Sequence, residues 1–172
     1  KPLAGDAPTN LVNAGTYVLE PSVLDWIPTG CPISAERQVF PAMATEGVLF
    51  AMASDGYWVD AGTPATYLAA NLHRADHGDG THPDAMVDPS AQLHRSVVGP
   101  GVVVGAGASI KASLVLDGAT IGPNVQVEGS IVGPGARVAT GATVTGLSVI
   151  GPCAAVQAGE QLDGVRRSER GS

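Results

Sequence analysis

The residue with the clearest chemical setting is Asp60. It closes Gly56-Tyr-Trp-Val-Asp60, a predicted strand, and stands before an Ala61-Gly62 turn and a helix start at Thr63-Pro64. Ligands of open α/β sheets collect at such strand ends. A carboxylate there can hold Mg2+, a cation that combines a few carboxylates with substrate phosphates. The same side chain also has a purely local use, which is to stabilise the turn. Tyr57 and Trp58 flank it and are placed either to line a sugar pocket or to enter a core. Gly15 interrupts the strand-like run Leu11 to Leu19, a place where a backbone is expected to need close approach to another group.

Other reactive side chains are scattered. Cys31 and Cys153 have no CxxC spacing and are expected to be two reduced thiols. His73, His77 and His82 are loosely spaced in a polar stretch and read as surface histidines rather than metal ligands. With 16 acidic against 9 basic residues the net charge is −7, which excludes a general nucleic-acid binder. A small anion held by one or two local cations remains compatible with that charge. There is no apolar run of about 18 residues and no signal peptide, so neither a membrane nor export is expected, and the compartment implied is the cytoplasm.

The elements that would position these groups fall into two kinds. Before about residue 76, predicted strands (11–19, 48–53, 56–60) alternate with predicted helices. One of these is expected to be capped by Ser22 and to end at Trp26; another runs from Ala35, capped by Ser34, to about Thr45. A third starts at the Thr63 cap and Pro64 and ends near Arg74. The stretch 77–86 is polar and reads as a linker.

From Val87 to Leu162 the pattern changes to a hexapeptide repeat. Branched apolar residues recur at Val98, Val104, Ile110, Leu116, Ile121, Val127, Val132, Val138, Val144, Ile150, Val156 and Leu162. Two of these steps are five residues long, either slips at a corner or a register displaced by one. Three short strands joined by tight corners make a triangular coil of about eighteen residues, giving room for about four coils. Aromatics make up only 4% of the chain, which suits a narrow prism filled by Val, Ile, Leu and Ala. The position after each branched residue is small or turn-tolerant, often expected near φ > 0, and Gly-Pro recurs there. Arg166-Arg167-Ser-Glu-Arg170 reads as a solvated charged tail.

This repeat resembles the left-handed β-helix family; its handedness is implied by that resemblance and not by the spacing. Lys1-Pro2, Asn13-Ala-Gly15-Thr-Tyr and Asp55-Gly-Tyr-Trp-Val-Asp60-Ala-Gly-Thr-Pro resemble the second half of the sugar-1-phosphate nucleotidyltransferase domain. Bacterial mannose-1-phosphate guanylyltransferases and glucose-1-phosphate thymidylyltransferases carry the most similar motifs, and many members end in such a β-helix. The resemblance implies an α/β fold, the second half of a Rossmann-like domain over 1–76, a linker 77–86, the β-helix 87–165 and a tail 166–172. It implies that Lys1 contacts the sugar phosphate, that Asn13 and Gly15 belong to the sugar site, and that Asp60 is a Mg2+ ligand. Lys1 and Asp60 would then be the catalytic residues, acting on a nucleoside triphosphate and a sugar 1-phosphate, with mannose and GTP favoured.

The departure from the family pattern is large. No Gly-x-Gly-Thr-Arg run occurs, and Lys1 lacks the acidic neighbour of the Lys-Pro motif. The expected partner is therefore the missing N-terminal half of the domain; the isolated chain is expected to be catalytically silent, and the complete protein a homo-oligomer. The chain begins inside a motif without a methionine and is expected to be a piece of a longer protein. Two other readings are a hexapeptide-repeat acyltransferase, for which His94 is the only histidine in the repeats, and a non-catalytic oligomerisation or regulatory module.

Overall fold

The structure, a computed structural model, describes residues 11–76 and 80–169. It divides into two compact units, Lys1–Trp58 and Val59–Ser172.

The second unit is a parallel β-helix with one helix laid on it. Three sheets of five short parallel strands each form its walls. Inward residues stack in register along each wall. One ladder is Val87, Val104, Ile121, Val138, Val156; the next is Leu93, Ile110, Val127, Val144, Leu162; the third is Val98, Val115, Val132, Ile150, Arg167. From Val98 to Ile150 the inward apolar residues are at most 2% exposed, since each coil covers the one before it. The Thr81 bridge to Val98 opens the stack, six residues before Val87.

The register corrects the sequence reading in three ways. Val115, not Leu116, points inward; Leu114 and Leu116 flank it, and the apolar triplet conceals which of them faces the prism. A coil therefore takes seventeen residues rather than eighteen, because one corner in three is a residue short, except for the coil containing Leu147, which keeps eighteen; five coils fit rather than four. Arg166–Arg167, expected to be a loose tail, is the last strand of the third sheet. Arg167 occupies the inward position of the last strand among the described residues and donates to Glu160 Oε2 at 2.8 Å, placing an ion pair at that end of the prism.

The short corner is held by a ladder of buried serines that the sequence reading missed. Ser113 donates its amide to Ser96 Oγ at 3.2 Å, and Ser130 donates its amide to Ser113 Oγ at 3.1 Å. These hydroxyls donate to carbonyls two residues earlier, at His94 (2.9 Å) and Lys111 (2.7 Å). A side-chain oxygen thus stands in for the backbone acceptor that the shorter corner lacks. The longer step from Val144 to Ile150 adds Leu147, and there Ser148 instead donates its hydroxyl to Thr145 O at 2.6 Å.

Glycines after the inward residues serve close approach, not a positive φ. A Cβ on Gly133 would lie 2.7 Å from Ile150 O and 2.9 Å from Gly151 C in the next coil. The positive φ falls two residues later, as at Gly135 (64°), after the proline of the turn. Gly133→Ala is expected to lower stability by about 1–3 kcal/mol because two backbones must separate. Gly141, at φ +68° with nothing near its Cβ, should lose only about 1 kcal/mol as alanine. Denaturant melts of the two variants check the order; equal losses would refute the close-approach account.

The first unit contains a 3-10 helix, Pro21–Trp26, a wide turn Ala35–Val39, and helix α1, Phe40–Thr45. Ser34 caps the second segment by accepting from Arg37 N at 3.3 Å, as its sequence indicated. Val39, Phe40 and Met43 make a small core with Val23, Trp26, Ile27, Ile33 and Leu49. None of the predicted strands 11–19, 48–53 and 56–60 is a strand among the described residues, so the described residues do not form the α/β half of the expected fold class. The physical reason is pairing: among the described residues these runs have no strand to make a ladder with, and Val18, Phe50 and Met52 are almost fully exposed.

Helix α2, Pro64–Ala75, belongs to the second unit. Thr63 caps it, accepting from Thr66 N at 3.2 Å, with Pro64 at the first position.

Candidate functional site

Asn13 folds back on its own chain. Its Oδ1 accepts the Gly15 amide at 2.8 Å, and its Nδ2 donates to the Tyr17 hydroxyl at 2.6 Å. Gly15 takes φ +73° to close this turn, and nothing lies within 4 Å of where its Cβ would be. Its use is conformational; no close approach explains it among the described residues. The Tyr17 hydroxyl donates to Glu36 Oε1 at 2.8 Å, and its ring stacks, tilted, on Phe40 with ring centroids 4.8 Å apart. The Asn13 amide pulls the Tyr17 pKa down, but the Glu36 hydrogen bond, desolvation and the Glu36 charge outweigh it, so the phenol titrates above its usual range.

Trp58 completes the arrangement. It is half exposed, and its indole Nε1 donates to the Ala14 carbonyl at 3.1 Å. Neither expected use of Trp58 accounts for this; it is a clamp on the Asn13–Gly15 turn, joining two motifs 44 positions apart in sequence. Such a bond between a side chain and a distant carbonyl leaves no periodic signal to read.

Asp60 is exposed, and its Oδ1 accepts the Gly62 amide at 2.9 Å. That is the local turn use named above. No hydrogen bond engages the second oxygen among the described residues. One free carboxylate oxygen fits a single position of a Mg2+ that keeps water and phosphate oxygens in its other positions. No group of three or more His, Cys, Asp or Glu among the described residues could hold a metal without such help. Asn13 and Gly15 lie in the first unit and Asp60 in the second; Lys1 lies outside the described residues.

His94 is exposed beside Lys111 on an outer wall, its carbonyl accepting the Ala112 amide at 3.0 Å, and no loop interrupts the coils around it. His82 Nδ1 accepts the Asp84 amide at 3.2 Å, and His77 lies outside the described residues. Cys31 and Cys153 are free and exposed. No helix among the described residues is long and apolar enough to cross a membrane.

Comparison with known proteins places these features in context. Residues 80–165 match the family model described as the GMPPB C-terminal domain. A mannose-1-phosphate guanylyltransferase of Mycobacterium tuberculosis is 34% identical over 128 residues, covering 66% of this chain and 36% of that protein. The mannose-1-phosphate guanylyltransferase catalytic subunit beta of Xenopus tropicalis is 35% identical over 99 residues, covering 51% of this chain and 27% of that protein. The chain thus spans about a third of the length of the curated relatives it matches. Among solved structures, the acetyltransferase domain of PglB from Neisseria gonorrhoeae FA1090, in complex with acetyl coenzyme A, superposes with a TM-score of 0.54 at 25% identity. It covers 63% of this chain and 57% of that one.

Proposed function

The chain belongs to the GMPPB C-terminal domain family, and from that premise we propose that it completes a nucleotidyltransferase making GDP-mannose and pyrophosphate from GTP and mannose 1-phosphate. The observation that carries this reading is the 34% identity to a mannose-1-phosphate guanylyltransferase over 128 residues, a span that exceeds the β-helix alone. The likeness to an acetyltransferase domain reports the β-helix, and the uninterrupted coils around His94 give acylation no further support.

In this reading the sugar phosphate oxygen attacks the α-phosphorus of the triphosphate in line, the bond to the bridging oxygen breaks, and pyrophosphate leaves. Little covalent chemistry falls to the protein, so its residues act by positioning and charge. Lys1 holds the nucleophilic phosphate, and Asn13, fixed by Tyr17 and the Gly15 turn, offers its amide to the sugar. Asp60 would hold Mg2+ through one carboxylate, and the ion would supply charge neutralisation on the phosphates. The nucleotide-binding loop comes from the rest of the domain, and the whole protein is a homo-oligomer of the cytoplasm.

A comparison of the 172-residue chain with the whole protein, using GTP, mannose 1-phosphate and Mg2+, tests the reading. Pyrophosphate release by the whole protein only is the expected result. GDP-mannose formation by the chain alone, or none by the whole protein, would overturn it.

A further inference from the structure

Asp60 is joined to the β-helix by an unbroken series of contacts within one compact unit. Its Oδ1 holds the Gly62 amide at 2.9 Å. The next residue, Thr63, caps helix α2 reciprocally, accepting from Thr66 N at 3.2 Å while its own amide donates to Thr66 Oγ1 at 3.1 Å. Turn and helix start are therefore one rigid piece.

Apolar packing and an ion pair both hold that helix. Leu68, 6% exposed, packs with Leu114 and Ile131, which face outward from the third wall, and Leu72, Val97, Leu116 and Val149 surround them. Leu68 and Leu72 lie one turn apart on a single helix face. This wall is the apolar one: at equivalent outward positions the first wall carries Thr120 and Arg137, and the second Gln126 and Thr143, none of them buried. Past the helix end, Asp76 receives a two-bond fork from Arg95, Nε to Oδ1 and Nη2 to Oδ2, both at 2.9 Å. Arg95 sits at a coil corner with φ +44°, the conformation that Ala112 (+45°) adopts one coil later. Its side chain leaves the wall at a fixed point of the prism.

We propose that the β-helix sets the orientation of Asp60 through helix α2, with Leu68, Leu72, Asp76 and Arg95 as positioning residues. This rests on the reading of Asp60 as a metal ligand given above. It makes the β-helix part of the catalytic apparatus rather than an appendage, since a ligand anchored on a stack of rigid coils stays in place while the rest of the domain moves around substrate. The outermost attachment is the fork, so its loss should loosen the helix without opening the prism.

The experiment uses the whole protein carrying Arg95→Ala, a change that the backbone tolerates because alanine already occupies the matching corner one coil later, and separately Leu68→Ala. Hydrogen exchange of the Gly62, Thr63, Ala65 and Thr66 amides, measured without metal or substrates, is expected to speed up by about fivefold in Arg95→Ala, the scale of one partly exposed ion pair. The Mg2+ concentration for half-maximal rate should rise several-fold, the KM for mannose 1-phosphate should stay unchanged, and the β-helix melt should not move. Exchanging the pair, Arg95→Asp with Asp76→Arg, should restore both readouts. Unchanged exchange and Mg2+ requirement in Arg95→Ala and Leu68→Ala alike would overturn the proposal. Near-normal turnover of Asp60→Asn would instead remove the reading beneath it, and is told apart because the exchange effect of Arg95→Ala would survive.

Discussion

Ile121→Asp should abolish the folded β-helix, whereas Thr120→Asp, one residue earlier, should leave its melting temperature nearly unchanged. Ile121 is 1% exposed and sits on the middle rung of its wall, in register with Val104 below and Val138 above. Truncation to alanine there would cost about 2–5 kcal/mol, because backbone ladders on all three sides keep the prism from collapsing into the cavity. A carboxylate at that point has no partner and no water, and its burial costs several kcal/mol more. Together these approach the roughly 5–15 kcal/mol that holds a domain folded. Each coil is stabilised mainly by its neighbours, so loss of the central rung removes support from both sides at once. Thr120 points outward from the same strand, where aspartate meets solvent. Circular dichroism and thermal melts of the two variants decide the matter; a cooperative melt of Ile121→Asp near the wild-type temperature would mean that the inward register is wrong.

That contrast also shows what a sequence can carry. Eleven of the twelve branched positions named from the repeat face inward, because a six-residue period with small neighbours has few other solutions. The exception, Leu116, was hidden by chemistry: an outward leucine beside the apolar patch under α2 has the same composition as an inward one. Reading Leu116 as inward also disguised the five-residue corner, which recurs in every coil but one. The serine ladder has a clear period once the register is known, but a serine at a turn has many uses and by itself marks none. Residues 11–19 and 48–60 have the local pattern of strands, yet pairing is a non-local fact, and among the described residues they have no strand to pair with. Two helix caps, being local, were legible: Ser34 and Thr63 do what their spacing indicated, whereas the segment expected to be capped by Ser22 starts one residue earlier, at Pro21, with no side-chain cap.

The candidate site divides along the same line. The Asp60–Gly62 turn could be read from three residues. The Trp58 clamp on Ala14 and the Tyr17–Glu36 bond span tens of residues, and only the folded chain brings them together. Residue types mark where chemistry could occur; what holds those types in place is the part that pattern reading leaves out.

In the whole protein Asp60→Asn should lower kcat by about two orders of magnitude or more, equivalent to about 3 kcal/mol of lost charge stabilisation on the reacting phosphates. The substitution is informative because it changes little else. An asparagine Oδ1 can accept the Gly62 amide as the carboxylate does, so the turn, the Thr63 cap and helix α2 should all persist. What disappears is the negative charge and the ability of the second oxygen to bind a hard cation, since an amide nitrogen presents only donors. The KM for mannose 1-phosphate should move little if Lys1 and Asn13 carry most of that contact. The Mg2+ requirement should rise, and Mn2+ should recover part of the rate, since it accepts oxygen ligands less strictly. Steady-state kinetics across a metal titration, with a melt to verify folding, make the test. Turnover near the wild-type value at saturating Mg2+ would leave Asp60 with the turn as its whole purpose. A large loss in kcat with an unchanged melt assigns it to the metal instead, because stabilising the turn is the one use that asparagine preserves.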